Sequence, residues 1–111
     1  PQLVRSITTH NKLDESRAFA AMVQRNLIDA VRELHPGAQD LGVKQAPFIV
    51  LIGANMPSVL SEISFLSNRE DASFLATDAY RDQIAEALFL SIVGYQQTLK
   101  PSASFAAGNN N

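Results

Sequence analysis

One carboxylate stands out among the residues that could do chemistry. Glu62 sits in Val59-Leu60-Ser61-Glu62-Ile63-Ser64-Phe65-Leu66, with apolar residues on both sides and no cation between Lys44 and Arg69. Carboxylates are almost never buried without a partner. At the end of an apolar strand, Glu62 is therefore either exposed or kept there for chemistry, and proton transfer is the chemistry a carboxylate offers. Ser58, Ser61, Ser64 and Ser67 recur at every third residue. No Gly-x-Ser-x-Gly elbow surrounds any of them and no histidine is near in sequence, so a serine nucleophile is a weak reading. The two histidines, His10 and His35, are separated by a helical stretch and do not make a site by themselves. His35 precedes Pro36-Gly37 at a helix end and reads as a partner of the helix dipole. Cysteine is absent, which excludes thiolate metal ligands and disulfides.

The elements that must position Glu62 follow from periodicity. In Asp14 to Leu34, Phe19, Met22, Val23, Leu27, Ala30, Val31 and Leu34 recur at three- and four-residue steps, which predicts a helix capped by Asp14 and stopped at His35-Pro36-Gly37. Pro1 to Leu13 is polar and without a clear period. Phe48–Ile52 and Val59–Glu62 are short apolar runs, separated by Gly53-Ala54-Asn55-Met56-Pro57. They read as two neighbouring strands, and an uninterrupted apolar run suits a sheet covered on both faces. Asn68 caps a short helix to about Leu75, with Glu70 and Asp71 in its first turn. Thr77 caps a longer one from Asp78 to about Leu99, with Tyr80, Ile84, Leu88, Ser91, Ile92, Tyr95 and Leu99 as its stripe. The expected fold is α/β: part of a mostly parallel twisted sheet flanked by helices, in the order helix, strand, strand, helix, helix.

Composition narrows the function classes. The chain has 111 residues, 46% of them apolar, which suits one small globular unit. A formal net charge of −2 with scattered basic residues gives no electrostatic footprint for nucleic acid. No apolar run reaches transmembrane length, and Pro1 to Arg5 has no apolar core of a signal peptide. From Lys100 the sequence Pro-Ser-Ala-Ser-Phe-Ala-Ala-Gly-Asn-Asn-Asn reads as a low-complexity tail or linker, leaving residues 1–99 as the folded unit.

Met56-Pro57-Ser58-Val59-Leu60-Ser61-Glu62-Ile63-Ser64-Phe65-Leu66-Ser67-Asn68 resembles the signature of the zinc-dependent N-acetylmuramoyl-L-alanine amidases of the amidase-3 type. In that family the motif runs approximately Pro-Ala-Val-Leu-Val-Glu-x-Gly-Phe-x-Ser-Asn. The likeness continues upstream through Leu41 to Phe48 and downstream through Tyr80-Arg81 and Ile84 to Leu88. It covers the chain from about Ser16 to Tyr95. Two positions depart from the pattern: Leu41 stands where the family has Arg, and Ser64 where it has Gly. The second puts a Cβ where the backbone needs a close approach or an unusual conformation.

The resemblance implies a bacterial peptidoglycan hydrolase. It would cleave the amide between N-acetylmuramic acid and L-alanine of the stem peptide by zinc-activated water, in the periplasm or at the cell wall. It also implies that Glu62 is the catalytic carboxylate. Zinc hydrolysis needs about three protein ligands, an open position for water and a carboxylate to move protons. The family's His, Glu and His ligands are expected upstream of this chain. His10-Asn11 echoes the family's Ser-Ile-His-x-Asn motif, but that motif lies well before the helix that begins here, so His10 reads as a surface or capping residue. The chain is accordingly expected to be the C-terminal portion of an amidase catalytic domain, inactive on its own, and either self-associating or cut from a longer molecule. The alternative is a non-catalytic wall-binding or regulatory domain on the same scaffold.

Overall fold

A computed structural model of the chain describes residues 2–100, and side chains from residue 13 onward. Three helices form its ordered frame: α1, Gln2–Leu34; α2, Arg69–Leu75; and α3, Asp78–Thr98. The helix forecast from Asp14 therefore begins earlier. Nothing between Gln2 and Leu13 is Pro or Gly, so no residue stops the backbone ladder from extending over that stretch. Asp14 is consequently not a cap but lies inside α1, 3.8 Å from the Arg17 guanidinium one turn on.

α1 and α3 pack against each other, antiparallel. Three contacts fix the register: the rings of Phe19 and Tyr95 at 5.0 Å, Asn26 on Ser91, and Gln83 on Glu33. Val23, Leu27 and Val31 from α1 meet Tyr80, Ile84 and Ala87 from α3 in the buried core. Their three- and four-residue steps make one stripe per helix, and each fully buried aliphatic side chain contributes about 1.5–3 kcal/mol. Ser91 is completely buried within this apolar seam, and its hydroxyl is satisfied on both sides. It donates to the Ala87 carbonyl at 2.7 Å and accepts from the Asn26 amide at 3.0 Å. A Cβ at Gly94 would stand 3.1 Å from the Met22 sulfur, so glycine there lets the helices close up. The stripe on α3 is rotated from the one forecast: Ala87 is inside, whereas Ile92 and Leu99 face solvent.

The caps forecast at Asn68 and Thr77 are present. The Asp71 N–H donates to the Asn68 side chain at 3.0 Å and opens α2. The Thr77 hydroxyl accepts from the Tyr80 N–H at 3.3 Å and donates back to the Phe74 carbonyl at 2.7 Å, joining α2 to α3. Arg81 closes the junction with a hydrogen bond to the Leu75 carbonyl.

The α/β expectation is overturned: among the described residues there is neither a strand nor a sheet. Ile49–Leu51 forms a 3₁₀ turn instead of the strand forecast at Phe48–Ile52. The N–H groups of Leu51 and Ile52 bond back to Phe48 and Ile49, so donors that a sheet ladder would need are spent locally. Val59–Glu62 has no regular hydrogen-bonded structure and no strand beside it. Two short segments are at best a marginal sheet in water, and a parallel pair also needs further strands and covering helices. The tail forecast for residues 100–111 lies, from residue 101 on, outside the described residues.

Candidate functional site

The segment from Pro36 to Asn68 leaves the end of α1, runs beside α1 and returns to α2. Few polar contacts hold it. The Ser58 N–H donates to the Ser16 hydroxyl at 3.0 Å, and Arg17 reaches the Gln45 side chain. The Gln24 amide and the Gly42 N–H both donate to the Asp40 carboxylate, at 2.6 and 2.9 Å. Those two donors, the Gln24 amide first, hold the Asp40 carboxyl below the usual carboxylate value, with Arg32 adding a weaker attraction.

Around Glu62 the exposure alternates. Val59, Ser61 and Ile63 are half-buried, and Val59 and Ile63 pack on the helical core, while Leu60 and Glu62 are exposed. The carboxylate therefore points outward between two apolar anchors and makes no hydrogen bond or ion pair with any described residue. The carboxylate is thus exposed and not buried. Two residues further on, Ser64 has φ of +63°, the left-handed region that favours glycine. The sequence departs from the family pattern at this residue. The very next N–H, that of Phe65, donates to Asp71 Oδ2 at 3.1 Å, so the acidic first turn of α2 clamps the turn that follows Glu62. Asn68 was readable as a cap from the sequence. The second role of Asp71 was not, because it depends on the Ser64 turn bringing Phe65 back over α2.

His35 is buried and stacks on Phe74, with ring centroids 4.3 Å apart. Its Nδ1 lies 3.7 Å from a Glu70 oxygen and its Nε2 lies 3.5 Å from Asp71 Oδ1. The two nitrogens thus face two different carboxylates, and no point is shared by all three side chains. Its backbone N–H still bonds to Val31, so the residue ends α1 as expected, but the ring serves as the wedge between α1 and α2. None of Ser58, Ser61, Ser64 and Ser67 donates to it, which leaves the serine-nucleophile reading without a base. At the far end of the seam, burial and then the Glu15 charge push the Tyr95 hydroxyl up.

A metal site was tested on these side chains. Among the described residues no three His, Asp or Glu groups converge on one point. The side chain of His10 lies outside the described set. The residues present therefore do not fit a zinc ion, and Glu62, His35 and the carboxylates of α2 do not assemble one.

The profile of the N-acetylmuramoyl-L-alanine amidase family (Amidase_3) matches residues 4–93. Among curated relatives, the protein YqiI of Bacillus subtilis (strain 168) is 33% identical over 82 residues, which are 74% of this chain and 37% of YqiI. N-acetylmuramoyl-L-alanine amidase LytC of the same strain is 44% identical over 59 residues, 53% of this chain and 12% of LytC. N-acetylmuramoyl-L-alanine amidase AmiA of Escherichia coli (strain K12) is 38% identical over 68 residues, 61% of this chain and 22% of AmiA. The chain thus spans between 12% and 37% of the length of these relatives. No solved structure matches.

Proposed function

This chain belongs to the N-acetylmuramoyl-L-alanine amidase family, and from that premise we propose that it is a portion of a peptidoglycan hydrolase. The bond cut is the amide between N-acetylmuramic acid and L-alanine of the stem peptide, in the periplasm or at the cell wall. The observation that carries the reading is the family match over residues 4–93, which contains the Pro57-to-Asn68 motif around Glu62. Residues 1–99 form the amidase portion and 100–111 a low-complexity tail or linker.

Glu62 is the group we assign to proton transfer. Hydrolysis of an amide requires a proton to leave the attacking water and a proton to reach the departing amine, and one positioned carboxylate can do both in turn. Three features of the chain suit that task. The carboxylate is solvent-facing and has no competing partner among the described residues. Val59 and Ile63 anchor it on either side. The Asp71 clamp on Phe65 fixes the turn behind it. We extend the proposal to zinc dependence, with the ligands contributed by sequence other than the described residues.

The test is an assay on a longer polypeptide in which this chain replaces the matching region of a family member. Digestion of purified peptidoglycan should release stem peptides with a new free amino group on L-alanine, and a chelator should stop it. Binding to the wall without release of such ends would instead support a non-catalytic wall-binding domain. No described helix is long and apolar enough to cross a membrane.

A further inference from the structure

Two backbone ties bracket Glu62. Before it, the Ser58 N–H donates to the Ser16 hydroxyl on α1 at 3.0 Å. After it, beyond the left-handed Ser64, the Phe65 N–H donates to Asp71 Oδ2 at 3.1 Å. The second tie hangs on one side chain, so whatever orients the Asp71 carboxylate also orients the turn behind Glu62. The Asp71 backbone N–H is spent on the Asn68 cap, which fixes where that side chain starts. Its other oxygen, Oδ1, lies 3.5 Å from His35 Nε2. The Asp71 side chain is only 20% exposed, so an N–H aimed at it acts in a partly dehydrated setting, where contacts to a charged acceptor are strong.

His35 is held so as to present that nitrogen. The ring is buried and stacked on Phe74, and the residue's own N–H closes the last turn of α1 on Val31. In the Nε2–H tautomer and in the imidazolium alike, Nε2 carries a proton toward Asp71; in the imidazolium Nδ1 also offers one to Glu70, 3.7 Å away. We propose that His35 is a positioning residue for Glu62. Its Nε2–H orients the Asp71 carboxylate, and Asp71 in turn fixes the Phe65 N–H and the turn that follows Glu62. The proposal rests on the reading of Glu62 as the group that moves protons. A wedge between α1 and α2 needs only the ring, whereas positioning needs only the nitrogen. Substitution separates the two: a glutamine amide places an N–H close to where Nε2 stands, while phenylalanine keeps a ring and has no donor.

The test uses a full-length amidase carrying this sequence, with two readouts: hydrogen exchange of the peptide spanning residues 63–68, followed by mass spectrometry, and the kcat of peptidoglycan cleavage. His35→Phe should speed the exchange by about tenfold and lower kcat by about tenfold, with KM unchanged. His35→Gln should stay within about twofold of the parent in both. Both variants should keep the helical circular dichroism. In the Asp71→Asn background, His35→Phe should change neither quantity, since its route to Glu62 is gone. The reverse order of the two variants, equal values for them, or a further loss in the Asp71→Asn background would each overturn the proposal. Exchange reads the tie itself, whereas Glu62→Gln reads the catalytic assignment through the rate alone, so failure of the one is distinguished from failure of the other.

Discussion

The α1–α3 pair and the segment between them follow opposite physics. In the helical pair every buried group is answered: apolar stripes face each other, and even the fully buried Ser91 has a donor and an acceptor. In residues 36–68 the apolar side chains outnumber the places to bury them. Ile49, Val50 and Ile52 face water, and the segment is tied down by side chains of its neighbours rather than by a ladder of its own. The comparison teaches where stability resides in this molecule and where the residue proposed for proton transfer sits. The frame supplies the stability, and Glu62 rides on the part that depends on the frame.

The largest expected effect breaks the frame. Leu27→Ala opens a cavity in the core and should cost about 3 kcal/mol. Ile52→Ala should change stability by no more than about 0.5 kcal/mol. Urea unfolding followed by helical circular dichroism measures both. Equal losses would mean that the segment is as well packed as the frame. Next comes the tie between the two regions. Asp71→Ala removes a charged acceptor from the Phe65 N–H and from the α2 cap region, and should cost about 1.5 kcal/mol. Faster cleavage of residues 58–66 by a protease should accompany it. Ser64→Gly acts in the other direction: relief of the left-handed conformation should stabilise the chain by about 1 kcal/mol.

The smallest effect is a pH dependence. Because the folded chain lowers the Asp40 carboxyl, the associated stability is present above the ordinary carboxylate value. It is lost as pH falls through the lowered value, in the range below about pH 4. Asp40→Asn should remove only that part of the acid dependence. An unchanged acid limb in the variant would show that the Gln24 and Gly42 contacts contribute nothing.

The helices were legible in the sequence because their information is local. A 3.6-residue stripe, Asn68 before Glu70-Asp71, and Thr77 before Asp78 each announce an element within a few residues. The early start of α1 was legible only as the absence of a breaker before Asp14. The strands failed for a nonlocal reason. An apolar run shows that a segment can be buried, not that a partner strand is there to pair with it, and Phe48–Ile52 closes its own short-range hydrogen bonds instead. The packing of the His35 ring was not legible for the same reason, since Phe74 and Asp71, far off in sequence, decide where it goes. Glu62 was singled out through motif and neighbours. Its outward orientation depends on Val59 and Ile63 docking on the helices, which no local pattern specifies.

The central claim is that the outward carboxylate of Glu62 moves the protons of amide hydrolysis. The most direct measurement is the rate of peptidoglycan cleavage by a full-length amidase carrying this sequence with Glu62→Gln, which keeps the shape and removes the base. The account expects a loss of at least about 100-fold, with metal content and the folded helical spectrum unchanged. Cleavage at the parent rate would contradict it.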